Sequence, residues 1–137
     1  MSNRNAISQR LVAVGFGIVL AGIPVVAHHS FSAEYDANKP IHITGKLTGA
    51  ELVNPHGWLH VDAVDAKGKI VHWAIETGGA NALYRRGWRA EDLPVGKVLV
   101  VDGYLGKDGS ATMNAVSVTF EDGRKLFAGN QGPAGAE

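Results

Sequence analysis

Two runs of strict apolar–polar alternation, joined by one tight turn, constrain this chain more than any other feature. Leu59, Val61 and Ala63 alternate with Trp58, His60 and Asp62, and Val71, Trp73 and Ile75 alternate with His72 and Glu76. A period of two places each apolar set on one face of a half-buried strand. The sets share that face when Val61 opposes Trp73 and Leu59 opposes Ile75. This register leaves the loop Ala66-Lys67-Gly68, with Gly68 at the left-handed position such loops favour. Trp58, His60, Asp62, His72 and Glu76 then line the outer face, and a slip of one residue would bury them.

Further short runs follow the same logic. Ile41 to Leu47 alternates before the interruption at Asn54-Pro55. Lys97 to Leu105 and Thr112 to Phe120 flank the turn Lys107-Asp108-Gly109-Ser110, and Glu121-Asp122-Gly123-Arg124 offers a hairpin into Lys125-Leu126-Phe127. Between the third and fourth runs, Asn81 is placed to cap a helix over Ala82 to Arg86, with Gly87 as its left-handed exit. Three strands, a short helix and two strands is the order of an OB-type barrel. The expected fold is therefore all-β, a small five-stranded OB-like antiparallel barrel with one short helix between strands 3 and 4. Eighteen glycines in 137 residues suit so many turns.

The first 27 residues stand apart. Arg4 and Arg10 precede the uncharged stretch Leu11 to Ala27, which ends in Pro24-Val25-Val26-Ala27. That is the form of a secretory signal peptide cleaved after Ala27. The stretch is 17 residues long with three glycines and one proline, short of the roughly 20 residues of a bilayer span. The expected organisation is a signal peptide over 1–27, one domain over 28–128 with an N-terminal extension over 28–40, and a disordered tail over 129–137. Such a protein is periplasmic or secreted and has no membrane span after cleavage.

Composition narrows the function. There is no cysteine, which excludes disulfides, thiol catalysis and cysteine metal sites. The mature chain keeps 11 basic and 13 acidic residues, a net charge of −2 that argues against nucleic acid. No Ser-His-Asp arrangement, phosphate loop or His-Glu-x-x-His helix is present, so a binding role is expected in place of catalysis.

Cleavage after Ala27 would make His28 the first residue. A terminal amine and its own imidazole can chelate one ion, and copper(II) favours such nitrogen sites. His29 is adjacent, and His56 at the mouth of the second strand is the candidate third imidazole. The arrangement looks like the histidine brace of some exported copper proteins. Binding would weaken in acid as these nitrogens protonate, at about 6.5 for imidazole and 7.7–8.0 for the amine. A His-His start can equally be a plain solvated terminus, and His56 in a turn can simply bond a carbonyl. Glu34 and Glu76 are candidate outer carboxylates. His60 and His72 are diagonal neighbours beside Asp62, either a second metal pair or ordinary surface histidines, and His42 points outward.

A metal-free alternative uses other residues. Trp58 and Glu76 could form a ligand shelf, unless Phe31 and Tyr35 cover it. Arg85 and Arg86 around Trp88, with Arg89, could bind carboxylates or phosphates, or pair with Glu91 and Asp92. A third reading is an accessory subunit of an exported redox enzyme, with an exported protein as partner.

The blocks His28-His29-Ser30-Phe31, Asn54-Pro55-His56-Gly57-Trp58, Asn81-Ala82-Leu83-Tyr84-Arg85-Arg86-Gly87-Trp88-Arg89 and Gly123-Arg124-Lys125-Leu126-Phe127 resemble an uncharacterised family of exported bacterial proteins. Its members carry a domain of unknown function. The resemblance covers nearly the whole mature chain, and it implies a small exported domain without supplying an activity or a ligand set.

Overall fold

The computed structural model describes residues 31–129. The signal peptide expected over 1–27, the histidines His28 and His29, and the tail beyond Gly129 lie outside the described residues. A short helix α1 (Phe31–Glu34) leads into β1 (Tyr35–Glu51), followed by β2 (His56–Val64) and β3 (Ile70–Gly78). Helix α2 (Ala80–Arg85) and a 3-10 turn at Ala90–Asp92 precede β4 (Val98–Gly106), β5 (Thr112–Phe120) and β6 (Lys125–Phe127).

The strands form one sheet in the order β3-β2-β1-β4-β5-β6, and an extra β3–β5 pairing bends it into a ring. The all-β, OB-like barrel is thus the fold observed. Its closing contact is parallel, Ala74–Glu76 beside Thr112–Asn114, while every other pairing is antiparallel. A sixth strand adds to the five expected, because β5 splits its length: Thr112–Asn114 pairs with β3 and Ser117–Thr119 pairs with β6.

The β2–β3 register matches the sequence reading, with Leu59 opposite Ile75, Val61 opposite Trp73 and Asp62 opposite His72. Its turn is held by Asp65, whose Oδ1 accepts from the Lys67 and Lys69 amides at 2.8 and 2.9 Å, and Gly68 has φ +78°. The alternation dictates this register because the other parity would put Leu59, Val61 and Ile75 into water.

Two elements differ from expectation. β1 begins at Tyr35, so residues 35–40 of the extension expected over 28–40 are strand. It pairs with β4 from Tyr35 to Lys46 and with β2 from Gly45 to Glu51. A strand serving both neighbours must be long and bent. The bend passes through Gly45, paired with both Ala63 and Leu99, where a Cβ would lie 2.4 Å from the Asp62 carbonyl oxygen. Helix α2 starts at Ala80 with Gly79 as N-cap and no side-chain cap of its own. Asn81 is inside the helix, and the capping oxygen comes from elsewhere: Asn54 Oδ1 accepts from the Asn81 amide at 3.2 Å.

Leu47, Leu59, Val61, Ile75, Leu99, Val101, Met113 and Val118 fill the barrel and are essentially fully buried. Each such side chain contributes roughly 1.5–3 kcal/mol by leaving water. Leu83, Trp88, Phe120 and Ala128 extend the same core. Gly45→Ala is expected to cost about 2 kcal/mol or more by overpacking against backbone, near 10 °C in a domain this small. At Gly49 an added Cβ would meet only the His60 side chain, Cδ2 at 3.5 Å and Cβ at 3.9 Å, so Gly49→Ala should stay within about 0.5 kcal/mol. Thermal denaturation of the two variants checks the contrast.

Candidate functional site

The ladder pairings set a row of side chains across the outside of the barrel. Trp58 opposes Glu76, Glu76 opposes Asn114, and Asn114 opposes Tyr104. By parity this is a solvent face, yet Glu76 is 7% exposed and Asn114 3%. The N-terminal segment covers Glu76. Tyr35 is buried and its hydroxyl donates to Glu76 Oε2 in a short hydrogen bond. Phe31 stacks against Tyr35 and sets its edge on Tyr104, with centroids 5.8 and 5.4 Å away. The Lys107 amide donates to the Glu34 carbonyl at 2.8 Å and ties the segment down. Of the two fates open to the Trp58–Glu76 shelf, cover by Phe31 and Tyr35 is the one observed at Glu76; Trp58 itself is half-buried.

His56 reaches the same carboxyl from the other side. It is the first residue of β2, opposite Gly78, and follows a cis Asn54–Pro55 peptide. The loop before it is pressed onto the start of α2: the Ala80 amide donates to the Val53 carbonyl at 3.0 Å. A Cβ on Gly79 would fall 2.5 Å from the Pro55 oxygen and 2.6 Å from Asn54 Oδ1. Held this way, His56 Nδ1 sits 2.8 Å from Glu76 Oε1. The contact is close but not aligned as a hydrogen bond, so Nδ1 is a buried nitrogen without a partner, and Asn114 Oδ1 is a buried oxygen without one. Buried polar atoms are rarely left so, and here the two belong to residues paired with Glu76: His56 through its side chain and Asn114 through the β3–β5 ladder.

The other histidines among the described residues, His42, His60 and His72, are each clipped to an acid on the surface. His42 Nδ1 is 2.7 Å from Asp102 Oδ1, His60 Nε2 is 2.9 Å from Glu51 Oε1, and His72 Nδ1 is 2.6 Å from Asp62 Oδ1. Asp102 also accepts from Ser117 and Lys125, and the His42 bond is the main reason its carboxyl is held below the usual range. Among the described residues, no three His, Asp or Glu side chains converge as a metal cluster.

Trp88 was expected to help bind a ligand, but the structure places it in the core. It is 1% exposed, its ring meets Phe120 edge-on at 5.5 Å, and Nε1 donates to the Phe127 carbonyl at 3.0 Å. The arginines beside it hold the chain together in an unexpected way. Arg86 lies 4.6 Å over the Phe127 ring and donates to the Gly129 carbonyl. Arg89 lies 4.0 Å over Tyr84 and donates to the Tyr84 and Trp88 carbonyls. Arg85 is exposed. Asp92 pairs with Arg124 at 2.7 Å, a bond that holds the Asp92 carboxyl below its ordinary value.

Asn114 was absent from the sequence-derived candidates. It occupies an outward position of β5, where a polar residue is ordinary, so nothing local marked it as buried. Tyr35 entered only as packing, since its partner Glu76 is 41 residues away.

Burial first, and then the bond to Glu76 and that group's charge, push the Tyr35 phenol well above its ordinary value of 10. A raised folded value means stability that is complete below about pH 10 and lost as pH rises beyond it. Alkaline unfolding of Tyr35→Phe is therefore expected to be shallower than that of the wild type. Before unfolding, both proteins should show the same rise in phenolate absorbance. A larger wild-type rise in folded protein would contradict this.

Comparison with curated proteins and with solved structures found no match. A model of a family of unknown function, DUF6152, matches residues 16–115, and the chain belongs to that family.

Proposed function

We propose that this chain is a small exported binding or accessory module that holds a metal ion, copper ahead of zinc, through His28, His29 and His56. The observation that carries the reading is the link from Tyr35 to Glu76 to His56. Metal sites commonly bring an imidazole and a carboxylate together and fix them with outer hydrogen bonds; His56 Nδ1 lies 2.8 Å from one oxygen of Glu76, and the Tyr35 hydroxyl holds the other.

Chain connectivity supports it further. Tyr35 stands on Glu76 and Phe31 packs on Tyr35. His28 is three residues before Phe31, a span of at most about 11 Å when extended. With a cleaved leader, the amine and imidazole of His28 supply two nitrogens and His56 a third, a set suited to copper(II). The role is capture or delivery of the ion, without turnover.

The test uses protein expressed from the full gene, with His28 confirmed as the first residue by mass spectrometry. Copper(II) is titrated against a competing chelator. One-to-one binding is expected, and one added alanine before His28, or His56→Ala, should weaken it by more than the roughly 10–100-fold that loss of an outer partner costs. Equal affinity in the alanine-extended protein would overturn the N-terminal site. The function would then be sought in a metal-free ligand-binding barrel using Trp58 and Arg85.

A further inference from the structure

We propose that Glu76 is itself a metal ligand, holding through Oε1 the same ion that His56 holds through Nδ1, with Asn114 Oδ1 as a neighbouring oxygen donor. This rests on the metal-binding reading above and assigns atoms to it.

Three observations lead there. His56 Nδ1 and Glu76 Oε1 are 2.8 Å apart, yet Nδ1 has no hydrogen-bond partner. Two donors each about 2.0 Å from an ion and at right angles, as in a tetragonal copper(II) site, stand roughly 2.8 Å from each other, so this spacing fits adjacent ligands. Second, the Tyr35 hydroxyl occupies Oε2. It leaves Oε1 as the oxygen facing His56 and fixes the plane of the carboxyl, the work of an outer-sphere donor.

Third, Asn114 Oδ1 is buried without a donor, on the same face as Glu76 and directly opposed to it in the β3–β5 ladder. A cation satisfies an orphan carbonyl oxygen as a hydrogen-bond donor would. Asn114 would add an amide oxygen as a third donor beside one imidazole and one carboxylate. The resulting mixed nitrogen–oxygen set suits a divalent first-row ion such as copper(II) or zinc(II).

Zinc(II) is diamagnetic, so the protein labelled with 15N-histidine and loaded with zinc reports by NMR which imidazole nitrogen binds. The expected result is coordination of His56 through Nδ1, with the proton on Nε2. Coordination through Nε2 would overturn the proposal, whether or not any variant folds. Glu76→Gln should lower zinc affinity at least about 100-fold and Tyr35→Phe about tenfold, following the cost of losing an outer partner. Wild-type affinity in a folded Glu76→Gln protein would also overturn it.

The alanine-extended protein separates the two readings. Binding that survives the extension but is lost in Glu76→Gln supports Glu76 and removes the N-terminal site. Binding lost on extension but kept in Glu76→Gln does the reverse. A wild-type protein that binds neither zinc nor copper overturns both.

Discussion

Three residue pairs close this barrel. Ala74, Ile75 and Glu76 lie parallel to Thr112, Met113 and Asn114, and through them the meander β2–β3 meets β4–β5 and the open sheet becomes a ring. Ile75 and Met113 turn inward and are fully buried. Glu76 and Asn114 turn outward and face one another. One short contact therefore completes the core and creates the polar site on the opposite surface. A parallel contact cannot be made by a hairpin and needs a crossover. Here the crossover runs through α2 and β4, and α2 with the following segment supplies Leu83 and Trp88 to the core.

A carboxyl placed on that outer face would ordinarily be solvated. Covering it carries a desolvation cost that must be offset by bonded partners. Tyr35 and His56 both approach Glu76, and they arrive from the two segments that flank the long strand β1: its first residue and the residue that opens β2. The N-terminal cover and the His56 loop are thus coupled through one side chain. The aromatic contacts of Phe31 with Tyr35 and Tyr104 give the cover its apolar side. The loop side is fixed by backbone contact between residues 53–55 and the start of α2.

The second half of the molecule uses charge for a different purpose. Arg86 and Arg89 cap carbonyl oxygens and stack on Phe127 and Tyr84, and Trp88 anchors the same strand end through the Phe127 carbonyl. From sequence, a run of arginines around a tryptophan reads as a recognition surface or as a set of ion pairs with Glu91 and Asp92. In the structure Arg86 and Arg89 donate to backbone oxygens and lie over ring faces, which guanidinium groups serve as readily as acids. Whether a tryptophan in a loop faces inward or outward depends on a surface three strands away, and local pattern holds no record of it.

What the sequence determined by itself is what periodicity and turn chemistry control. The β2–β3 register, the Gly68 turn, the short helix before β4 and the last hairpin follow from alternation, glycine placement and the rule that apolar sets share one face. The fold class follows from their order. What only the tertiary structure decided is everything that depends on contacts across long stretches of chain: the extension of β1 to Tyr35, the capping of α2 by Asn54, the burial of Trp88, and the meeting of Tyr35, His56, Glu76 and Asn114. Alternation can say that Glu76 and Asn114 point away from the core. Ring closure brings them together, and the N-terminal segment covers Glu76, because burial belongs to the assembled surface and not to any single strand.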